Sequence, residues 1–197
     1  MLTPIVLILF AYLLGSIPTG LLISKMCAGV DPRHGGSGNI GATNVFRTTT
    51  KTLGLLTLVG DILKGLAPVL MALHLMREEF CVGATALAVF LGHLFPLYLG
   101  FRGGKGVATA LGILLPLAPW AVTLNVVVFI GAVLASRMVS VGSLSAAGIM
   151  PIFVWLLGYP RSYLVLSIIV AGLIFYRHKD NIQRLVKRKE SKLWARS

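Results

Sequence analysis

The sequence predicts an all-α, polytopic membrane protein, and three observations predict it. Hydrophobic residues make up 56% of the chain and charged residues only 12%, with a mean hydropathy of +0.88 that no soluble domain approaches. Apolar runs recur at about the 20 residues a helix needs to cross the hydrocarbon core. Finally, 15 of the 18 basic residues fall into segments that such a threading puts on one side of the membrane, as the positive-inside rule requires.

Three spans are clear, near residues 2–23, 53–76 and 80–99. After residue 106 the pattern is denser. The run 107–117, bounded by Pro116 and Pro119, reaches only about 16 Å as a helix, half the hydrocarbon thickness. Reading four segments there, near 107–117, 119–135, 143–158 and 162–176, makes seven transmembrane helices, two of them short. Fusing them into two tilted helices makes five.

The seven-span reading puts the N-terminus outside and the C-terminus in the cytoplasm. Lys25, Arg33, Arg47, Lys51, Arg102, Lys105 and Arg137 then lie inside with the basic tail 177–197, against Arg77 and Arg161 outside. Residues 1–23 lack a basic leader and a small-residue cleavage site, so they read as a retained helix and not a signal peptide. The tail reads as a basic helix on the anionic inner leaflet. The whole chain, 1–197, is taken as one integral membrane domain. Cys27 and Cys81 fall near opposite faces, so no disulfide is expected.

Two glycine-rich stretches stand outside the spans: Gly35-Gly36-Ser37-Gly38-Asn39-Ile40-Gly41-Ala42-Thr43-Asn44 and Phe101-Arg102-Gly103-Gly104-Lys105-Gly106. Glycine lets backbone amides approach a ligand, and the interleaved polar side chains add donors, so both read as anion cradles. The same threading starts the second, fourth and sixth helices at the cytoplasmic face, where their positive ends attract anions. Gly15, Gly65, Gly131 and Gly172 lie within spans and read as helix-packing residues.

Other motif matches fail. Gly36–Gly41 satisfies the dinucleotide fingerprint with Asp61 at ribose distance, but no strand precedes it and Asp61 lies in an apolar span. Lys105 is followed by Gly106 and preceded by Leu99 where a phosphate loop needs glycine. His34, His74, His93 and His178 have no neighbouring ligands, so no metal and no cofactor are expected. Asp61 and Lys64, three apart on one helix face, read as a structural ion pair before a substrate contact. His178 and Asn181 share a face at the inner end of the last span.

Gly15–Gly20 with Gly38–Asn44, Gly92-His93-Leu94-Phe95-Pro96 with Phe101–Thr109, and His178–Leu185 occur in an order and spacing that closely resembles the bacterial acyl-phosphate:glycerol-3-phosphate acyltransferases. The resemblance runs through nearly the whole chain. It implies an inner-membrane enzyme that moves a fatty acyl group from acyl phosphate to the 1-hydroxyl of glycerol 3-phosphate, giving lysophosphatidic acid and phosphate. Its partners would be those two substrates and membrane lipid, with neither nucleic acid nor an obligate protein partner.

On this reading Ser37, Gly38, Asn39, Gly41, Thr43 and Asn44, with Gly103 and Gly104, bind phosphate through side chains and backbone amides. Arg47 and Lys105 clamp phosphate and stabilise developing negative charge. Ser143, at the expected N-cap of the sixth helix, adds a donor, while His178 and Asn181 hold glycerol 3-phosphate. The hydroxyl proton goes either to His178 or to the departing phosphate, whose second pKa is about 6. A His and an Asp four residues apart, the base pair of other glycerophosphate acyltransferases, are absent. A transporter for a phosphorylated metabolite would also want cations around an anion, but it would place them at mid-membrane within an internal repeat, and no repeat is found.

Overall fold

The computed structural model describes residues 2–193, with side chains from residue 4, and contains helices and turns but no strand among them. Residues 194–197, including Arg196 of the basic tail, lie outside the described residues. The chain divides into two compact units, Met1–Pro116 and Leu117–Ser197.

In the first unit, α1 (Leu2–Gly15) and α2 (Thr19–Ala28) form one apolar run interrupted at Ser16–Pro18. Pro18 has no N–H to continue the ladder. The carbonyl of Ile17, left at the break, accepts a hydrogen bond from Lys64 Nζ at 2.8 Å, as an apolar medium requires of every backbone group. A 3₁₀ turn at Pro32–His34 and a short helix α3 (Ala42–Thr48) lead into α4 (Lys51–Leu75), whose N-cap Thr50 accepts from Leu53 N–H. Three residues connect α4 to α5 (Glu79–Leu94), which packs on both α1 and α4. A 3₁₀ turn (Leu97–Leu99) and the second glycine-rich stretch precede α6 (Val107–Leu114).

Close backbone approach holds this unit together. A Cβ at Gly15 would strike Val89 on α5, and one at Gly65 would lie 2.7 Å from the Thr109 carbonyl of α6, which is the small-residue logic of helix packing in lipid. Gly131 and Gly172 do not follow it. Both are exposed, with no atom within 4 Å of an added Cβ, because each sits on the outward face of its helix.

The second unit comprises α7 (Pro119–Ser136), α8 (Val139–Leu156), α9 (Arg161–Arg177) and α10 (Lys179–Val186), with α8 packed on α7 and α9. Arg137, in a left-handed conformation at φ 61°, ends α7 and turns the chain into α8. The last pair bends by 60° at His178. The tail is therefore not one helix: α10 stops at Val186, and Leu193 N–H returns to the Arg137 carbonyl at 2.7 Å.

Among the described residues, five segments are long and apolar enough to cross a membrane by themselves, six if the bent α9–α10 pair counts as one span. The four segments expected after residue 106 each correspond to a separate helix, α6 to α9. At eight residues, however, α6 spans about 12 Å. Large apolar side chains such as Leu55, Leu63 and Leu70 on α4, Val127 and Leu134 on α7, and Val165 and Ile168 on α9 point outward. Such faces are stable against lipid tails and not against water.

Candidate active site

The first unit runs up through α1 and α2, down α4 and back through α5, so residues 29–50 and 95–106 flank the same end of the α4–α5 hairpin. Asn44 organises the earlier stretch. Its side chain is buried; Oδ1 accepts from Ser37 N–H at 2.7 Å, and Nδ2 donates to the carbonyls of Pro32, Gly35 and Asn39 at 2.7, 3.1 and 2.7 Å. Asn39 Oδ1 accepts from Gly41 N–H at 2.9 Å, and Gly38 N–H closes a turn on Gly35. A Cβ at Gly36, whose φ is +57°, would strike Asn44 Oδ1.

Sequence reasoning treats Asn39–Arg47 as a loop whose amides face an anion. Six of its nine residues, 42–47, belong to α3, capped by extended Gly41. The N–H groups of Ser37, Gly38 and Gly41 bond within the protein, and Asn44 braces the turn from inside. The Ser37 hydroxyl and Arg47 are exposed, and Thr43 is half-buried. Lys25 and Arg33 pair with Asp31 at 3.3 and 2.6 Å. The hydrogen bond from Arg33 outweighs partial desolvation and holds the Asp31 carboxyl well below the usual carboxylate range. These two cations of the inner-side tally are thereby engaged.

The second stretch is laid over the end of α5. Gly103 N–H donates to the Leu94 carbonyl and Gly104 N–H to the His93 carbonyl, both at 3.2 Å, satisfying orphan carbonyls at the helix C-terminus. These amides also shape the turn instead of facing outward. Gly104 rests on the His93 ring, where a Cβ would strike Nε2. Lys105 follows, half-buried, and Gly106 at φ +82° caps α6. Beneath the turn, Asp61 and Lys64 form the expected ion pair at 2.8 Å, with His93 Nδ1 3.6 Å from the same carboxylate oxygen.

In the second unit the expected cap is displaced. The helix expected as the sixth span is α8, which begins at Val139 with Met138 as N-cap, so Ser143 lies past its first turn. Its buried hydroxyl donates back to the Val139 carbonyl at 2.9 Å, a bond internal to the helix. The chain can begin the helix four residues early because left-handed Arg137 has already completed the turn.

His178 and Asn181 are both buried, at 2% and 4% exposure. His178 Nδ1 lies 2.8 Å from the Ile174 carbonyl. A carbonyl only accepts, so that bond puts a proton on Nδ1 and leaves the Nε2 lone pair in the neutral ring. Asn181 Nδ2 donates to Glu190 Oε1 at 2.6 Å, while its Oδ1 is buried without a hydrogen-bond partner among the described residues.

Glu190 is the centre that sequence reasoning missed. It also accepts from Ser140 Oγ at 2.8 Å and from Arg184 Nε at 2.7 Å. The only signal is a single acid within Lys187-Arg188-Lys189-Glu190. Burial pushes its carboxyl up, but the bonds from Arg184, Asn181 and Ser140 prevail and hold it below its ordinary value. Because the folded value is depressed, this stabilisation is complete above the ordinary carboxylate range and is lost as pH falls through the folded value. Melting of the detergent-solubilised protein should therefore fall towards acid, and Glu190→Gln should lower the neutral-pH melting temperature and flatten that dependence. An unchanged acid slope in Glu190→Gln would show that other carboxylates carry it.

The family model described as glycerol-3-phosphate acyltransferase matches residues 5–188. The chain belongs to this family. The glycerol-3-phosphate acyltransferase of Geotalea daltonii is 50% identical over 185 residues, covering 94% of this chain and 95% of that one. That of Thioalkalivibrio sulfidiphilus is 47% identical, covering 95% and 92%. A solved integral membrane glycerol 3-phosphate acyltransferase, PlsY, in its glycerol 3-phosphate form superimposes with a TM-score of 0.93 at 42% identity, covering 96% and 95% of the two chains. Its lysophosphatidic acid form gives 0.91 at 41%. As a glycerol-3-phosphate acyltransferase family member, the chain is an integral membrane acyltransferase.

Proposed function

We propose that this acyltransferase moves a fatty acyl group from acyl phosphate to the 1-hydroxyl of glycerol 3-phosphate, at the cytoplasmic face of the inner membrane. The hydroxyl oxygen attacks the acyl carbonyl, the tetrahedral intermediate collapses with cleavage of the carbonyl carbon to phosphate oxygen bond, and lysophosphatidic acid and inorganic phosphate leave. Departing phosphate takes the hydroxyl proton.

The observation that carries this reading is the seating of Arg47, on the short helix α3, and Lys105, on the turn before α6, at one end of the α4–α5 hairpin. Two cations on preorganised backbone suit a donor whose leaving group is itself phosphate, where positioning and charge stabilisation dominate. In this reading Ser37 and Thr43 give hydroxyl contacts to phosphate, and Asn39, Asn44 and the glycines act by shaping the turns. His178 Nε2 and the unpartnered Asn181 Oδ1, both acceptors, take hydrogen bonds from the glycerol 3-phosphate hydroxyls. Ser143 acts through the first turns of α8.

The purified protein given radiolabelled glycerol 3-phosphate should form lysophosphatidic acid with acyl phosphate as donor, and at most a trace with acyl-CoA or acyl carrier protein. Comparable turnover with acyl-CoA, after contaminating acyltransferases are excluded, would overturn the donor assignment.

The orientation is tested separately. If α6 carries the chain across the bilayer as the short fourth of seven spans, Arg77→Cys should react with a membrane-impermeant maleimide in intact spheroplasts. Lys187→Cys should react only after permeabilisation, both in a background with Cys27 and Cys81 replaced. Labelling of position 187 from outside would sink the seven-span topology with its cytoplasmic tail.

A further inference from the structure

Asp61, Lys64 and His93 are buried, at 2%, 7% and 4% exposure, in a protein whose spans hold few other ionisable groups. Such groups are expensive in an apolar span and persist where they have work to perform. The Asp61–Lys64 pair at 2.8 Å, with Lys64 also bonded to the Ile17 carbonyl at 2.8 Å, would be a complete structural unit by itself.

His93 extends it towards the site. Its Nδ1 lies 3.6 Å from Asp61 Oδ1, and its other ring nitrogen lies against Gly104, which has no room for a side chain there. Its carbonyl takes the Gly104 N–H at 3.2 Å and crowds Gly103 as well. The turn that presents Lys105 is thus seated on one imidazole, the imidazole faces one carboxylate, and the carboxylate is held by a lysine anchored at the α1–α2 break.

We propose that Asp61, Lys64 and His93 are positioning residues for acyl transfer, which set the Gly103–Gly106 turn and through it the placement of Lys105. The inference rests on the charge-stabilising role given to Lys105 above. A turn displaced by about 1 Å loses roughly a hundredfold in rate without losing the binding groups.

The test compares His93→Gln and Gly104→Ala with the parent for kcat, KM for glycerol 3-phosphate and thermal unfolding. Gly104→Ala alters none of the three cluster side chains and forces the turn and the His93 ring apart. Both variants should lose about a hundredfold in kcat, with KM within a few-fold and the melting temperature unchanged. In a Lys105→Arg background, His93→Gln should cost far less than it does alone, because groups acting through one another are not additive. A merely structural cluster would not show that coupling.

Losses that multiply, losses confined to KM, or wild-type kcat in folded variants would overturn the proposal. So would failure of both variants to fold, which would assign the cluster to stability alone. Lys105→Ala separates the two readings. Wild-type kcat there removes the role of Lys105 itself, whereas an impaired Lys105→Ala beside unimpaired His93→Gln and Gly104→Ala removes only the cluster.

Discussion

Lys105→Ala is expected to lower kcat by about a hundredfold to a thousandfold, the scale on which removing one preorganised donor to a developing oxyanion acts. The side chain is half-buried on a turn between Gly104 and Gly106, whose conformation is set by glycine backbone and by the end of α5. The melting temperature should therefore hold. Lys105→Arg keeps the charge but replaces a compact ammonium with a planar fork on a longer stem, so it should recover only part of the rate. Because the interaction strengthens as negative charge develops, the loss should appear in kcat and kcat/KM together. A folded Lys105→Ala enzyme within threefold of the parent kcat would remove Lys105 from the chemistry.

His178→Asn is expected to act mainly through KM for glycerol 3-phosphate. Leaving a bound substrate hydroxyl without its acceptor costs about 1–3 kcal/mol, so KM should rise roughly five- to a hundredfold. The imidazole is held at the α9–α10 bend by the Ile174 carbonyl at 2.8 Å, which is as suited to orienting a substrate as to removing its proton. The donor decides between the two roles. Its leaving phosphate, with a second pKa of about 6, is a competent acceptor already bound beside the hydroxyl. The acidic limb of the pH–rate profile should accordingly survive the substitution. A kcat loss above about a thousandfold at saturating glycerol 3-phosphate, with that limb gone and the protein folded, would make His178 the general base.

The Ser143 correction shows where reading the chain alone reaches its limit. The threading starts the sixth helix near residue 143, with Ser143 as its cap. The helix starts at Val139 instead, since cap preference is worth about 1 kcal/mol and yields to the packing of α8 on its neighbours. The same holds for Asn39–Arg47, where glycine and asparagine signal a loop. Gly41 does end an extended segment, but the seven residues after it close into α3. Local cap and loop signals are weak enough for packing to move a helix start, as at Ser143, or to close a helix within a glycine-rich stretch, as at α3.

What the sequence by itself determined is the membrane class, the approximate position of the helices, the two polar turns and the family. Each of these is written locally: hydropathy over 20 residues or so suffices to place a helix in lipid, and the glycine-bounded motifs are contiguous. Only the tertiary structure decided which polar group answers which. Lys64 meets a carbonyl 47 residues away, Ser140 a carboxylate 50 residues away, and the backbone amides expected to face a ligand turn inward to Asn44 and the end of α5. In a low-dielectric interior every donor must be satisfied, so the sequence announces that partners exist. Which partner is within 3 Å depends on how the helices pack, and that packing is set by the whole chain at once.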